Sequence, residues 1–385
     1  MFKLAVIQNI IVPYEVPLYN VLAFDDDINL TVYFCSETYK HRHWNIPKRL
    51  EFNCETLPGF TLESGRLVSS VNPIILERLH KNKPDIILLS GGYVHLTMWL
   101  AFFYGKLLNI PIIYRSDEIS VERVEHSLLA KIFSPFEKVL IKKSDAIICP
   151  GLKSKEYHLD QGGTLDRIFM VPYTTESDRL YHNLSKKYRT SRNLIKDDLG
   201  INEGKVVLYV GNLSDAKGVS YLLESFAMLS NEMDNIALVL LGNGPNINDY
   251  KRYCDVNDLS HVYFPGYKEK IEKIKYYSIS DVFVFPSLRD RWGLVLNEAM
   301  LCGLPIITTR TVGAAEMVLP DHNGFIIGEA NSADIYKYLK YILTQNEMRV
   351  KMGTESINIV LSKYTMKIRK DNFCKALKYV VSNRT

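Results

Sequence analysis

The chain has 385 residues, which at roughly 150 residues per domain predicts two domains, each long enough to bury its own core. Its composition, 47% hydrophobic and 23% charged, excludes a disordered chain, a collagen and a coiled coil. A formal net charge of +4 is too small to argue for a polyanionic partner. No basic stripe interleaved with aromatics marks a nucleic-acid binder.

The first residues read as a strand, Leu4-Ala5-Val6-Ile7. They lack the long apolar region and cleavage site of a signal peptide. Further apolar runs follow at Leu30-Thr31-Val32-Tyr33-Phe34, Ile86-Ile87-Leu88-Leu89, Ile112-Ile113-Tyr114 and Ala146-Ile147-Ile148. Continuous runs of this kind suit parallel strands buried on both faces. Between them lie helix candidates, Ile74 to His80 and Leu96 to Leu108. Ile86 to Gly105 carries no formal charge and is about long enough to span a bilayer. Ser90-Gly91-Gly92 breaks it, so strand, turn and helix are expected, and the protein is expected to be soluble, at most peripheral on a membrane. The polar stretch Ser185 to Lys196, with Lys186, Lys187, Arg189 and Arg192, reads as a solvated linker.

Strands then recur at Val206 to Val210, Ala237 to Leu241, Val262 to Phe264, Val282 to Phe285 and Pro305 to Ile307, with helices at Val219 to Leu229 and Leu294 to Leu301. Strand-helix alternation implies right-handed crossovers and a parallel sheet with helices on both faces. The expected fold is α/β, with two doubly wound domains facing a cleft. Ligands bind such sheets at the carboxyl ends of the strands. The informative residues should sit in the loops just after them.

After Val210 comes Gly211-Asn212-Leu213-Ser214-Asp215-Ala216-Lys217-Gly218. A glycine lets backbone approach a ligand, a helix start favours an anion, and Lys217 adds a point charge. The same loop is also compatible with an ordinary turn and a solvent lysine. Gly242-Asn243-Gly244-Pro245 after Leu241 lacks the third glycine of a dinucleotide fingerprint, which argues against a nicotinamide cofactor. The longest of these loops runs from Pro286 through Arg289-Asp290-Arg291-Trp292-Gly293 into the helix carrying Glu298. A helix starting near Gly293 would aim free N–H groups at an anion, while Asp290 and Glu298 could accept hydrogen bonds from sugar hydroxyls. Alternatively, Asp290 caps the helix and Glu298 is a surface charge. Glu298 lies between Leu294-Val295-Leu296 and Ala299-Met300, which argues against a freely solvated face. Arg310 to Glu316 adds a glycine turn after the next strand.

Gly211 to Gly218, Gly242 to Pro245, Phe264-Pro265-Gly266-Tyr267 and the block from Pro286 to Pro305 together resemble the retaining glycosyltransferases of family four. The likeness spans roughly Val206 to Val360. It implies the GT-B fold, two Rossmann-like domains, and an E-x7-E motif present here as Asp290 and Glu298. It implies an N-terminal acceptor-binding domain over 1–190, a nucleotide-sugar-binding domain over 191–365, and a C-terminal helix over 366–385 packing back toward the first domain. By the resemblance, Lys217 holds the donor diphosphate together with the Gly211, Asn212 and Gly242 loops. The Gly293-Leu294-Val295 backbone is the phosphate-binding helix start. Glu298 binds the ribose hydroxyls, Asp290 contacts the transferred sugar, and Tyr267 lies near the base.

Three positions depart from the family pattern. Asn212 stands where an arginine is usual, with Arg289 or Arg291 as substitutes. Asp290 replaces a glutamate. Asp117 falls nearest the position of a catalytic histidine, so either Asp117 contacts the sugar or another group such as His95 reaches in.

The implied substrates are a nucleotide-diphosphate-sugar donor, UDP- or GDP-linked, and a glycan or lipid-linked acceptor. No permanently bound cofactor is implied. The six cysteines form no C-x-x-C pair and no metal site is expected; they read as free thiols in a reducing, cytoplasmic compartment. Tyr14, Glu15, Pro17 and Tyr19 are expected near the acceptor. The cluster His41-Arg42-His43-Trp44 and the Leu128 to Lys143 helix are candidates for a lipid phosphate and for the inner membrane surface. The rival readings are a nucleotide-sugar epimerase or phosphorylase of the same fold and a non-catalytic sugar-nucleotide binder.

Overall fold

The computed structural model describes residues 1–39, 50–64, 67–120, 128–175 and 177–383. The chain divides into two compact units, residues 1–176 with 366–385, and residues 177–365. His41 to Trp44 lie outside the described residues.

The first unit contains β1 (Phe2–Gln8), β2 (Ile28–Phe34), β3 (Asn53–Thr56), β4 (Phe60–Ser64), β5 (Leu67–Val71), β6 (Ile86–Ser90), β7 (Ile112–Arg115), β8 (Ala146–Cys149) and β9 (Ile168–Met170). Seven of these make one parallel sheet in the order β3-β2-β1-β6-β7-β8-β9, and β4 and β5 form an antiparallel hairpin apart from it. Alternate residues of β1 face opposite sides. Leu4 and Val6 join one core with Leu88 and Ile148, and Ala5 and Ile7 join another with Leu89 and Tyr114. Burial on both faces is why β1 has no polar alternation. The first of these cores is completed by Phe373, Ala376, Leu377 and Val380 of the C-terminal helix Met366–Ser382. That helix therefore belongs to the first unit although it lies last in sequence.

Its attachment also carries charge. Glu15, 3% exposed, binds Arg115 through Oε1 and receives Arg369 Nη2 on Oε2 at 2.7 Å. Arg369 Nη1 donates to the Tyr14 carbonyl at 3.0 Å, and both guanidiniums lie within 6 Å of the Tyr173 ring centroid, at 5.7 and 5.2 Å. Glu15 and Tyr19 thus serve the interior of this unit: Tyr19 is fully buried, and burial pushes its hydroxyl up to about 12.

The second unit holds β10 (Lys205–Val210), β11 (Ile236–Leu241), β12 (Val262–Tyr263), β13 (Val282–Phe285), β14 (Ile306–Thr309) and β15 (Gly324–Ile327). They form a parallel sheet in the order β12-β11-β10-β13-β14-β15. The order reverses between β10 and β13, so the loops after those two strands diverge from a common point at their carboxyl ends.

One sequence expectation is corrected here. Ser185 to Lys196 is no solvated linker. It belongs to two helices, Asp178–Thr190 and Arg192–Leu199. Ser185 Oγ and Arg189 Nη2 donate to the Cys302 carbonyl at 3.3 and 2.8 Å, and Arg192 Nη2 reaches Asp281 Oδ2 at 2.7 Å. These bonds tie the stretch to the second unit, and the division accordingly falls at residue 176 rather than 190.

Removing Arg369 would leave a buried carboxylate with one guanidinium fewer. Arg369→Ala should destabilise the first unit by about 3–5 kcal/mol, with Arg369→Lys intermediate. Thermal unfolding followed by circular dichroism checks both.

Candidate active site

The reversal of strand order places Lys217, after β10, against Asp290, after β13. Lys217 ends a short 3-10 turn, Asp215–Lys217, before the helix Val219–Ser230. Its Nζ donates to Asp290 Oδ2 at 2.6 Å, lies 3.4 Å from the Arg289 carbonyl, and sits 5.6 Å from the Phe285 ring centroid. Both side chains are 22% exposed, so the pair is neither sealed from solvent nor free in it. An ammonium has three N–H donors. With two directed at these oxygens, one remains for an incoming anion.

Asp290 is fixed from two further sides. Its Oδ1 accepts the Trp292 N–H at 3.1 Å, and its carbonyl accepts the Gly313 N–H at 2.9 Å. Asp290 and Val312 form a parallel bridge, which explains the glycine turn after β14: it closes against the Asp290 loop. Gly293 follows with φ +88°, a conformation that L side chains rarely adopt, and begins the helix Leu294–Leu301 without a side-chain cap. Leu296 N–H turns back to the Gly293 carbonyl at 2.9 Å. Among the described residues none supplies an acceptor for the N–H of Leu294 or Val295. These are the free donors expected at a helix start, at the end of the loop that carries Asp290.

The loops after β10 and β11 are knitted together. Leu213 N–H donates to the Asn243 carbonyl at 2.9 Å, and Gly211 N–H to Leu241 at 3.0 Å. A Cβ on Gly242 would stand 1.9 Å from the Gly211 carbonyl oxygen, so only glycine permits this approach. Asn212 is exposed, and its carbonyl accepts the Tyr209 hydroxyl at 2.8 Å. Tyr267 is 65% exposed, and Arg289 and Arg291 are exposed on either side of Asp290.

Glu298 is no surface charge. It is 6% exposed, and its carboxylate collects three donors: Tyr181 hydroxyl at 2.9 Å and Lys273 Nζ at 2.6 Å on Oε1, and Tyr277 hydroxyl at 2.8 Å on Oε2. Burial, then the Glu298 charge, holds the Tyr277 hydroxyl well above its usual range. A carboxylate offers about four acceptor directions, so one is left. Sequence reasoning missed Tyr181, Lys273 and Tyr277. The one signal was the spacing of Lys273 and Tyr277, four apart on a helix face.

Asp117 lies half-buried in the loop after β7, in the first unit. His95 is 3% exposed; its Nδ1 accepts the Ser70 N–H at 3.1 Å, its ring stacks on Tyr39, and burial pushes it down to about 4. It is a neutral structural histidine. Among the described residues no group of three or more His, Cys, Asp or Glu could hold a metal, and no helix is long and apolar enough to cross a membrane.

Comparison with known proteins bears on this geometry. Residues 191–358 match the family described as glycosyl transferases group 1. Sulfoquinovosyl transferase SQD2 of Arabidopsis thaliana is 25% identical over 322 residues, which is 80% of this chain and 60% of the plant protein. Spore coat protein SA of Bacillus subtilis is 28% identical over 293 residues, 74% of this chain and 70% of that one. The chain thus spans less than two thirds of the plant relative's length. Among solved structures, Anabaena Alr3699/HepE in complex with UDP superposes with a TM-score of 0.77 at 17% identity, covering 98% of this chain and all of that one. The architecture is the GT-B fold, two Rossmann-like domains in one chain. The family match and the relatives support a glycosyltransferase.

Two outcomes follow from the burial of these groups. His95 and His158 are both held at about 4, against about 6.5 in the unfolded chain. The unfolded state therefore binds more protons between these values. Stability should be fully present above pH 6.5 and fall as pH drops toward 4, by up to about 3 kcal/mol per histidine. Denaturant titrations across that range test it, and His95→Asn should show a shallower slope. Lys273→Met would strip the buried Glu298 carboxylate of its counter-charge and should destabilise the second unit by about 1.5–3 kcal/mol, with Lys273→Arg partly restoring it in thermal unfolding.

Proposed function

We propose that the chain is a retaining, family-four glycosyltransferase that moves a hexose from a UDP- or GDP-sugar to a glycan or lipid-linked acceptor in the synthesis of a cell-surface polysaccharide or glycolipid. The observation that carries this reading is the Lys217–Asp290 pair at 2.6 Å, whose carboxylate lies in the loop that leads into the free N–H groups of Leu294 and Val295. A cation and a helix start suit a diphosphate, and a carboxylate beside them suits the hydroxyls of the sugar it carries.

The chemistry follows from where charge develops. As the bond from the anomeric carbon to the diphosphate oxygen breaks, the sugar becomes oxocarbenium-like and the leaving phosphate gains negative charge. Lys217 and the Leu294 and Val295 N–H groups meet that charge without reorganising. The acceptor oxygen attacks from the face that the phosphate leaves, which retains configuration. The departing phosphate takes the acceptor proton, so no separate base is assigned. Glu298, held by three donors, takes one ribose hydroxyl in its remaining acceptor direction. Asp290 and, from the first unit, Asp117 are assigned to the transferred sugar. The first unit is assigned to the acceptor.

Calorimetry with UDP, GDP and ADP and their sugars tests the reading. One nucleoside diphosphate should bind the unaltered protein, and Lys217→Ala should lower the transfer rate at least about a hundredfold, a loss of about 3 kcal/mol. Product formation that requires an acceptor separates transfer from epimerisation. Binding without turnover would favour the non-catalytic reading.

A further inference from the structure

The amino ends of three neighbouring strands in the first unit border a cavity of about 350 Å³. Pro111 precedes β7, Ser144 and Asp145 precede β8, and Arg167 precedes β9; all four line it. The end of the C-terminal helix closes it through Tyr379, Val380 and Asn383. β7 has four residues, so the loop that bears Asp117 begins about 13 Å away, at the other end of the strand. The cavity is thus separate from the edge at which such sheets take their substrates. Its volume is near the lower bound of about 300 Å³ for small-molecule pockets, which suits one molecule the size of a monosaccharide.

Two cations are anchored on consecutive residues of the wall. Arg167 Nη1 donates to the Ser144 carbonyl at 2.8 Å, and its Nε to Thr164 Oγ1 at 3.0 Å. Lys106 Nζ donates to Asp145 Oδ2 at 3.0 Å, an oxygen that also accepts the Ile112 N–H at 2.8 Å. Among the described residues, Arg167 Nη2 has no acceptor, Asp145 Oδ1 has no donor, and the side-chain amides of Asn109 and Asn383 have no partner. Asp145 is the one carboxylate in the lining, against two cations. Asp166, beside Arg167, is exposed and takes the Tyr379 hydroxyl at 3.1 Å. That bond and the Phe169 ring, with centroids 5.2 Å apart, fix the Tyr379 ring. An open guanidinium edge and an ammonium suit a phosphate or carboxylate. A free carboxylate oxygen and two amides suit hydroxyls. A fixed aromatic ring offers a surface to the apolar face of a sugar.

We propose that this cavity binds a monosaccharide bearing an anionic group, a phosphate or a carboxylate, at a site separate from that of transfer. Bound there, the sugar joins the end of the C-terminal helix to β7, β8 and β9 and stabilises the first unit. The proposal does not depend on the transferase reading.

Calorimetry and thermal unfolding with glucose 6-phosphate and with glucuronate test it. One of the two should bind and raise the melting temperature, and which one does so identifies the anion. Glucose and inorganic phosphate should each bind at least about tenfold more weakly, since each lacks half of the contacts. Arg167→Gln should weaken binding about tenfold or more. Tyr379→Ala should weaken it about fivefold, and Tyr379→Phe should not. Lys106→Gln alters a pair whose side chains are 36% and 43% exposed, so melting without ligand should hold while binding falls about tenfold. Lys217→Ala, in the second unit, should bind the sugar as the unaltered protein does. Absence of binding by both anionic sugars at millimolar concentration overturns the proposal. So does binding that Lys106→Gln leaves intact, or inorganic phosphate that binds as tightly as the sugar. Loss of binding in Lys217→Ala overturns it too, by placing the sugar at the diphosphate site.

Discussion

The site in the second unit depends on the reversal of strand order between β10 and β13. Lys217 and Asp290 lie 73 residues apart in sequence. They meet because those two strands are neighbours and send their loops out at the same edge. At 2.6 Å, and with about a fifth of each side chain exposed, each group offsets much of the other's cost of leaving water. The arrangement is further braced by backbone. Gly313 and Ala314 donate to the Asp290 and Trp292 carbonyls at 2.9 and 2.7 Å, so the loop after β14 holds the loop after β13 in register. A pair placed by three strands is harder to displace than one placed by a surface loop.

Glu298 shows the other way of keeping an acid. Its environment is nearly closed, and an unpaired carboxylate there would be costly. Lys273 supplies the counter-charge, and two tyrosine hydroxyls fill further acceptor directions. The result is a carboxylate that can only accept, held at a fixed angle with one direction open. Asp290 has the opposite character: it and its cation are both partly open to solvent. Two carboxylates on one loop-helix segment are thereby given different tasks by their surroundings.

The central strands were legible because burial on both faces leaves continuous apolar runs, and β1, β6, β10 and β11 lie where such runs stand. The edges were less so. β3 reads Asn53-Cys54-Glu55-Thr56 and is mostly exposed, so hydrophobicity does not mark it. The segment at 185–196 was misread for a related reason. Tyr181, Ser185 and Arg189 lie four apart and all face the second unit, yet two of the three are polar and imitate a solvated stretch. The loops bearing Lys217, Asp290 and Gly293 were legible because each follows a strand. The partners of Glu298 were not, since Tyr181 lies 117 residues away and a sequence has no marker for a contact made by folding.

Asn212 is where the proposed chemistry is most constrained. It is exposed and uncharged, while Lys217 is already matched by Asp290, so the pair carries little net charge toward a diphosphate. On the transferase reading, attraction must then come from elsewhere in the same loop system. The helix start at Leu294 and Val295 contributes a partial positive charge through N–H groups fixed by the left-handed turn at Gly293. Arg289 and Arg291 flank Asp290 on the exposed side, so their charges rise on the segment that the diphosphate must approach.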